Sequence, residues 1–415
     1  MKLKFLGACR EVGHSGVLLK SSGANVLMDY GSKVKNEETN PVAPGKINAL
    51  VVSHSHLDHC GMVPMLYKWQ KPPIYATELT HRTSHILQYD SVKIVELRNK
   101  MNGEKRQFYT DEDVDSMGRS EVPVDYKKAH NIGNGISIEL SDAGHIPGSS
   151  SILLESEGKR VLYTGDINLG KTYLTGGADI PKADVLITES TYGNVEHPNR
   201  KETEKHFLEA VRNTVDRGGV ALVPAFAVGR SQEVLMMLSG MDDVYLDGMG
   251  KRVTELYLKY PEFMRDSDAL SSAVENARFV QHNRERDKII KKPCIIVTTA
   301  GMLHGGPVVY YIRKLRKDTS SSIILTGFQV EGTNGRLLAE QGHIVDRMDN
   351  TRIDVDMEVW KFNFSAHGDE KDLKEIVRRA NPDKIFVVHG DPENCVPFAQ
   401  SIGAALPREG EEFEI

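Results

Sequence analysis

The densest chemistry in this 415-residue sequence lies in six consecutive residues, His54-Ser55-His56-Leu57-Asp58-His59. Imidazole and carboxylate are good zinc ligands. The apolar run INALVVS before the motif reads as a buried strand. Side chains alternate along a strand, so His54 and His56 point the same way. The turn that follows swings Asp58 and His59 toward a second point. A chance polar loop is the bland alternative, and the dense HxHxDH spacing argues against it. More candidate ligands sit at other strand ends: His145 in AGHIPGSS, Asp166 closing VLYTGD, and His389 in VVHGD. Each alone is weak, because a lone histidine is often structural and an aspartate after a strand is often a turn residue. Together they make seven ligands, enough for two metal ions. His14, His81, His85, His130 and His304 match no ligand position, and Cys60 is expected to face helix packing.

The elements that must hold these residues are short apolar runs with polar ends. NVLMDYG (25–31), INALVVSHSH (47–56), RVLYTGD (160–166) and DVLITES (184–190) read as buried strands. GMVPMLYKWQ (61–70) reads as a helix between strands. The pattern predicts a layered α/β domain with helices covering its sheets. Residues 201–219 have helical periodicity and end in a Gly pair. A strand (220–226), a helix (229–238) and two more strands (294–300 and 322–328) follow, which predicts a small α/β unit with a parallel sheet. The segment DKIFVVHGD (383–391) returns to the first pattern. The middle unit is therefore expected to be an insertion, with domain segments at 1–194, 195–362 and 363–415.

Composition narrows the class. Hydrophobic residues make up 40% and charged residues 27%, as in ordinary globular proteins. The net charge of −6 gives no global sign of nucleic-acid binding, so any attraction for phosphate must be local. The four cysteines, Cys9, Cys60, Cys294 and Cys395, are far apart and form no CxxC pair, which argues against a disulfide framework. MKLKFLGACREVG is too short an apolar run for a secretory signal. No window approaches the ~18 continuous apolar residues of a membrane span. A soluble, cytoplasmic chain without membrane contact is expected.

HSHLDH, GHIPGS and TGD resemble successive motifs of the metallo-β-lactamase superfamily, and Asp29 in LMDYG resembles its first motif. ESTYG (189–193), FSAHGD (364–369) and VVHGD (387–391) are similar to motifs A, B and C of its β-CASP nucleases. GGVALVPAFAVGRSQE (218–233) and GFQVEGTNGR (327–336) resemble the inserted β-CASP domain. The likeness covers nearly the whole chain and is nearest to the endonuclease subunit of the cleavage and polyadenylation specificity factor and its short archaeal relatives. It implies a four-layer αββα sandwich with an inserted α/β β-CASP domain. It implies two zinc ions per chain, one on His54, His56 and His145, the other on Asp58, His59 and His389, with Asp166 bridging. Asp29 would support the metal loop without binding metal. The metals would activate the attacking water, with Asp58 counted among the catalytic residues. His367 would protonate the leaving 3′-oxygen, and Glu189 would hold its imidazole. The histidine in motif C favours RNA over DNA. The implied activity is RNA hydrolysis within the chain, leaving a 3′-hydroxyl and a 5′-phosphate, in 3′-end processing or turnover.

Weaker signals remain open. Arg230 reads either as a phosphate holder at a helix start or as a surface residue there. Gly301, in the Gly-rich TTAGMLHGG (298–306), reads as a backbone donor to RNA or as part of a plain loop. Arg336 is a third candidate RNA contact. RKLRK (313–317) reads as a solvated helix face. The tail PREGEEFEI reads as a strand, a dimer contact or a solvated acidic end. Larger archaeal members carry KH domains ahead of the lactamase fold. This chain begins on its first strand, so such a module is expected to be absent. Single-stranded RNA, a second copy of the chain and subunits of an RNA-processing complex are the expected partners. A 5′→3′ exoribonuclease of the ribonuclease J type and a non-catalytic processing scaffold are the competing functions.

Overall fold

The computed structural model describes residues 1–33, 42–327, 329, 332–346 and 349–415. Two compact units divide them: residues 1–196 with 366–415, and residues 197–365. In the first unit a seven-stranded sheet runs in spatial order Glu412–Glu414, Lys2–Phe5, Val17–Ser21, Ala24–Met28, Ala49–Val51, Ile74–Ala76 and Glu121–Pro123. A six-stranded sheet runs Lys384–Val387, Val185–Thr188, Lys159–Tyr163, Ser150–Ser156, Ile136–Asp142 and His130–Gly133. Their inner faces share one core, in which Leu3, Val17, Val26 and Val51 pack with Ile138, Ile152, Val161 and Ile187. The outer face of the first sheet meets Leu66, Val92 and Val114 from helices. The outer side of the second meets Leu373, Ile376, Phe398 and Ala380. Alternating side chains bury both faces of each sheet, and the result is the αββα four-layer sandwich.

The acidic tail is a strand. Glu412–Glu414 pairs antiparallel with Lys2–Phe5, and the Glu412 carboxylate meets the Lys2 and Lys20 ammoniums. The helix expected over residues 61–70 is reduced to the single turn Val63–Leu66, separate from the preceding turn Leu57–Cys60. Pro64 is the reason: it has no N–H to give the Cys60 carbonyl, so a continuous helix would leave that acceptor orphaned. Gln88 Nε2 donates to it instead, at 3.0 Å.

In the second unit, six strands form one parallel sheet in the order Ala277–Phe279, Val244–Asp247, Cys294–Thr298, Val220–Pro224, Ser322–Leu325 and Glu358–Lys361. The helix Arg200–Asp216 stops before Gly218, which adopts φ +90°. The strand expected to reach residue 328 ends at Leu325. Phe328, Val330 and Glu331 of GFQVEGTNGR lie outside the described residues.

Candidate metal centre

The strand Ala49–Val51 delivers His54, and the following turn Leu57–Cys60 carries Asp58 and His59. Three neighbouring backbone donors fix this turn. Ser32 N donates to Leu57 O at 2.8 Å, Ser15 N to Asp58 O at 2.9 Å and Tyr30 N to His59 O at 2.8 Å. Gly31 makes the approach possible, because a Cβ there would fall 1.6 Å from Asp58 O. Gly31→Ala is expected to cost about 3 kcal/mol or more, at or beyond the upper end of typical overpacking. Denaturant unfolding reads this, and an unchanged midpoint would contradict the close approach.

The seven candidate ligands converge. Nε2 of His54 lies 3.2 Å from Nδ1 of His56, which lies 3.1 Å from Nε2 of His145. Asp58, His59 and His389 form a second group, and Nε2 of His389 is 3.3 Å from Oδ2 of Asp58. Asp166 stands between them. Its Oδ2 faces His54 at 3.4 Å and His145 at 3.6 Å, and its Oδ1 faces His59 at 3.1 Å and His389 at 3.4 Å. His56, Asp58 and His367 are the partly exposed members, so the site opens on their side.

The donor set fits metal ions. Asp166 Oδ1 is buried, and no hydrogen bond reaches it among the described residues. The His54–His56 and His56–His145 nitrogen spacings of 3.2 and 3.1 Å match the edges, about 3.3 Å, of a tetrahedron with zinc–nitrogen bonds of about 2.05 Å. Metal ligation needs neutral imidazole. Burial and the His59 charge lower His54, while burial and the His54 charge take His56 to about 3. Burial and the His367 charge push His145 well below its ordinary value. In the second group burial also opposes the charged imidazole, but Asp166 and Asp29 raise His59 well above its usual range, and Asp166 and Asp58 raise His389. A metal there must displace protons, so its binding is expected to weaken as pH falls.

Supporting residues fix the ring faces. Asp29, at a left-handed φ of +56°, accepts from His59 Nδ1 at 2.6 Å, Ser53 N and Ser53 Oγ at 2.7 Å each, and Tyr163 OH at 2.9 Å. This leaves His59 Nε2 facing Asp166 and occupies the Asp29 carboxylate fully. His145 Nδ1 donates to Ala366 O at 2.8 Å. Sequence reasoning missed Ser15, Ser53, Tyr163 and Thr191. Ser53 could have been flagged as the polar residue just before His54, and Thr191, 3.2 Å from His389 Nδ1, lies inside ESTYG two residues after Glu189.

A third group lies beside the first two. Nδ1 of His367 is 2.9 Å from both oxygens of Glu189, which also accept from Ile167 N at 2.7 Å and Thr191 N at 3.3 Å. With Nδ1 so engaged, Nε2 of His367 turns toward Asp166 Oδ2, 3.9 Å away. Burial pulls this imidazole down, and the Glu189 and Asp166 carboxylates more than reverse that, raising it to about 9.

The other candidates lie in the second unit. Arg230 is not a surface residue: its guanidinium is buried and paired with Glu233, which also binds Arg200. The N–H groups of Arg230 and Ser231 already donate to Val228 O and Phe226 O, so this helix start offers no free pair to a phosphate. Gly301 is buried, and a Cβ on it would meet Phe226 N at 3.0 Å. Arg336 is partly exposed and paired with Glu340. Arg313, Lys314 and Lys317 of RKLRK are tied to Asp346, Asp287 and Asp356 rather than simply solvated. In the first unit, His81 and His85 face Glu121, away from the metal groups.

Comparison with known proteins agrees with this architecture. Residues 18–189 match a metallo-β-lactamase superfamily domain, 231–338 the Beta-Casp domain, and 352–409 a Zn-dependent metallo-hydrolase RNA specificity domain. A "Probable RNase MJ4" of Methanocaldococcus jannaschii is 38% identical across 100% of both chains. "RNase aCSPSF2" of Saccharolobus solfataricus is 35% identical over 100% of this chain and 85% of its own. A "Transcription termination factor FttA" of M. jannaschii is 34% identical over 97% of this chain and 69% of its own. A solved protein of unknown function from Enterococcus faecalis shares the fold, with TM-score 0.58 at 14% identity over 99% of both chains. The sandwich, with its histidine–aspartate groups at the strand ends, defines the metallo-β-lactamase class, a metal-dependent hydrolase fold. Within that class the chain belongs to the β-CASP family. Among the described residues, no helix is long and apolar enough to cross a membrane.

Proposed function

We propose that this chain is a two-zinc endoribonuclease that leaves a 3′-hydroxyl and a 5′-phosphate and serves RNA 3′-end processing or turnover. The observation that carries this reading is Asp166, with one oxygen toward each histidine group and the His367–Glu189 pair beside it. The relatives named as RNases support RNA as the substrate. Metals bound at the two groups would stabilise charge on the phosphoryl oxygens and lower the pKa of water. His367 keeps its Nδ1 proton on Glu189 and directs Nε2–H toward Asp166, where the partly exposed ring borders the open side of the site. There it protonates the leaving 3′-oxygen, and the Glu189 carboxylate keeps the ring oriented and cationic until transfer. Ser53, Asp29 and Tyr163 hold His54 and His59 in place without touching substrate.

A circular single-stranded RNA tests the internal cut, since it has no terminus. The zinc-loaded chain is expected to linearise the circle and then yield fragments. If linear 5′-monophosphate RNA is degraded while the circle survives, cutting proceeds from the 5′ end. If neither is cut, the ribonuclease reading fails.

A further inference from the structure

An open trough of about 560 Å³ runs along the helix Glu370–Ala380 of the first unit, walled on one side by Leu169 and Gly170. Four cations line it, Lys371, Lys374, Arg378 and Arg379, against two carboxylates, Asp372 and Glu375. That is a local excess of two positive charges on a chain of net charge −6. One carboxylate, Glu375, holds both Arg378 and Arg379, and Lys374 is tied to Glu370. Arg379 gives Glu375 only its Nε–H, at 2.7 Å, and its two terminal nitrogens remain available as donors. Lys371 makes no ion pair among the described residues.

The near end of the trough abuts the metal centre. Leu169 follows Asp166 by three residues, and Lys371 follows His367 by four. The two walls are pinned together where Gly368 N donates to Ile167 O at 2.7 Å. From Lys371 to Arg379 the helix carries the cations along for just over two turns, about 12 Å at 1.5 Å per residue. A row of half-neutralised cations leading from a phosphodiester-cleaving centre suits a polyanion that continues past the cleaved bond. Its donors are side-chain points that match phosphate oxygens, and the trough offers no aromatic surface for stacking bases.

We propose that this trough binds the sugar–phosphate backbone of the RNA strand flanking the scissile bond, through Lys371 and Arg379, without reading bases. The inference rests on the ribonuclease reading above. The test uses the full-length, zinc-loaded chain and an unstructured oligoribonucleotide at several salt concentrations. Lys371→Glu with Arg379→Glu is expected to raise KM about tenfold or more, with kcat within about twofold. The log–log salt slope should become shallower by about 1.4, at about 0.7 for each single-strand phosphate contact. Lys127→Glu with Lys128→Glu makes the same change in net charge on an exposed part of the same unit and should shift neither quantity. If the trough variant moves KM and the slope no further than this control does, the trough is not a binding surface. A wild-type chain that cuts no RNA removes the underlying reading, and the trough proposal with it.

Discussion

Replacing His367 by alanine is expected to slow RNA cleavage by about 10²–10⁴-fold while leaving the metal content unchanged. The ring is bound to Glu189 through Nδ1, and Nε2 is 3.9 Å from Asp166, farther than the approaches within the two histidine groups. Losing the ring therefore removes a proton donor and leaves both groups intact. Elemental analysis beside single-turnover cleavage checks both halves. A variant that loses metal would make His367 a ligand, and one that cuts at the normal rate would place the proton elsewhere. The pH profile adds a separate signature. The donor must be cationic, and the folded value of about 9 lies above the ordinary imidazole value of about 6.5. The cation is thus fully present below about pH 6.5 in both folded and unfolded chains, and its stabilising contribution is lost as pH rises through about 9. Cleavage should fall on the same alkaline limb. A cation held at Asp166 cancels part of that carboxylate's pull, so in the loaded enzyme the limb should sit below 9. Glu189→Gln removes the larger carboxylate contribution and should move the limb further down. A limb that does not move in Glu189→Gln would separate Glu189 from the proton donor.

Asp166→Ala is expected to abolish cleavage and to take metal content from two equivalents to one or fewer, the second group losing its ion first. Its two oxygens face different histidine groups, so one side chain serves both. Without it, the first group retains three imidazoles. In the second, His59 and His389 lose the charge that offsets their protons, and Asp58 is the remaining carboxylate. Asp58→Ala or His389→Ala touches only the second group and should leave about one equivalent. The comparison is made by elemental analysis of proteins purified without added metal. One stable equivalent in wild type, unchanged in Asp58→Ala, would reduce the centre to a single ion.

The sequence by itself determined the inventory of candidate ligands. Three histidines and an aspartate within six residues, followed by His145, Asp166 and His389 at strand ends, are legible because metal ligation constrains residue type more tightly than packing does. It also determined the alternation of buried strands and helices, and the β-CASP resemblance supplied the order of layers. Local arithmetic failed where a single backbone group decides the outcome. Residues 61–70 have helical composition, but Pro64 has no N–H for the Cys60 carbonyl, and a side chain far along the chain, Gln88, fills the gap. Arg230 reads as a phosphate holder or a surface residue in one dimension, and neither holds, because its partner Glu233 is one helical turn away and Arg200 lies thirty residues back. Only the tertiary structure decided that Asp166 turns one oxygen to each group, that Asp29 is consumed by four donors, and that Glu189 meets His367 across 178 residues of chain. Those facts depend on side-chain direction at the ends of strands from two different sheets. A sequence fixes the order of such residues, whereas packing the two sheets on a shared core brings their ends to within hydrogen-bonding distance.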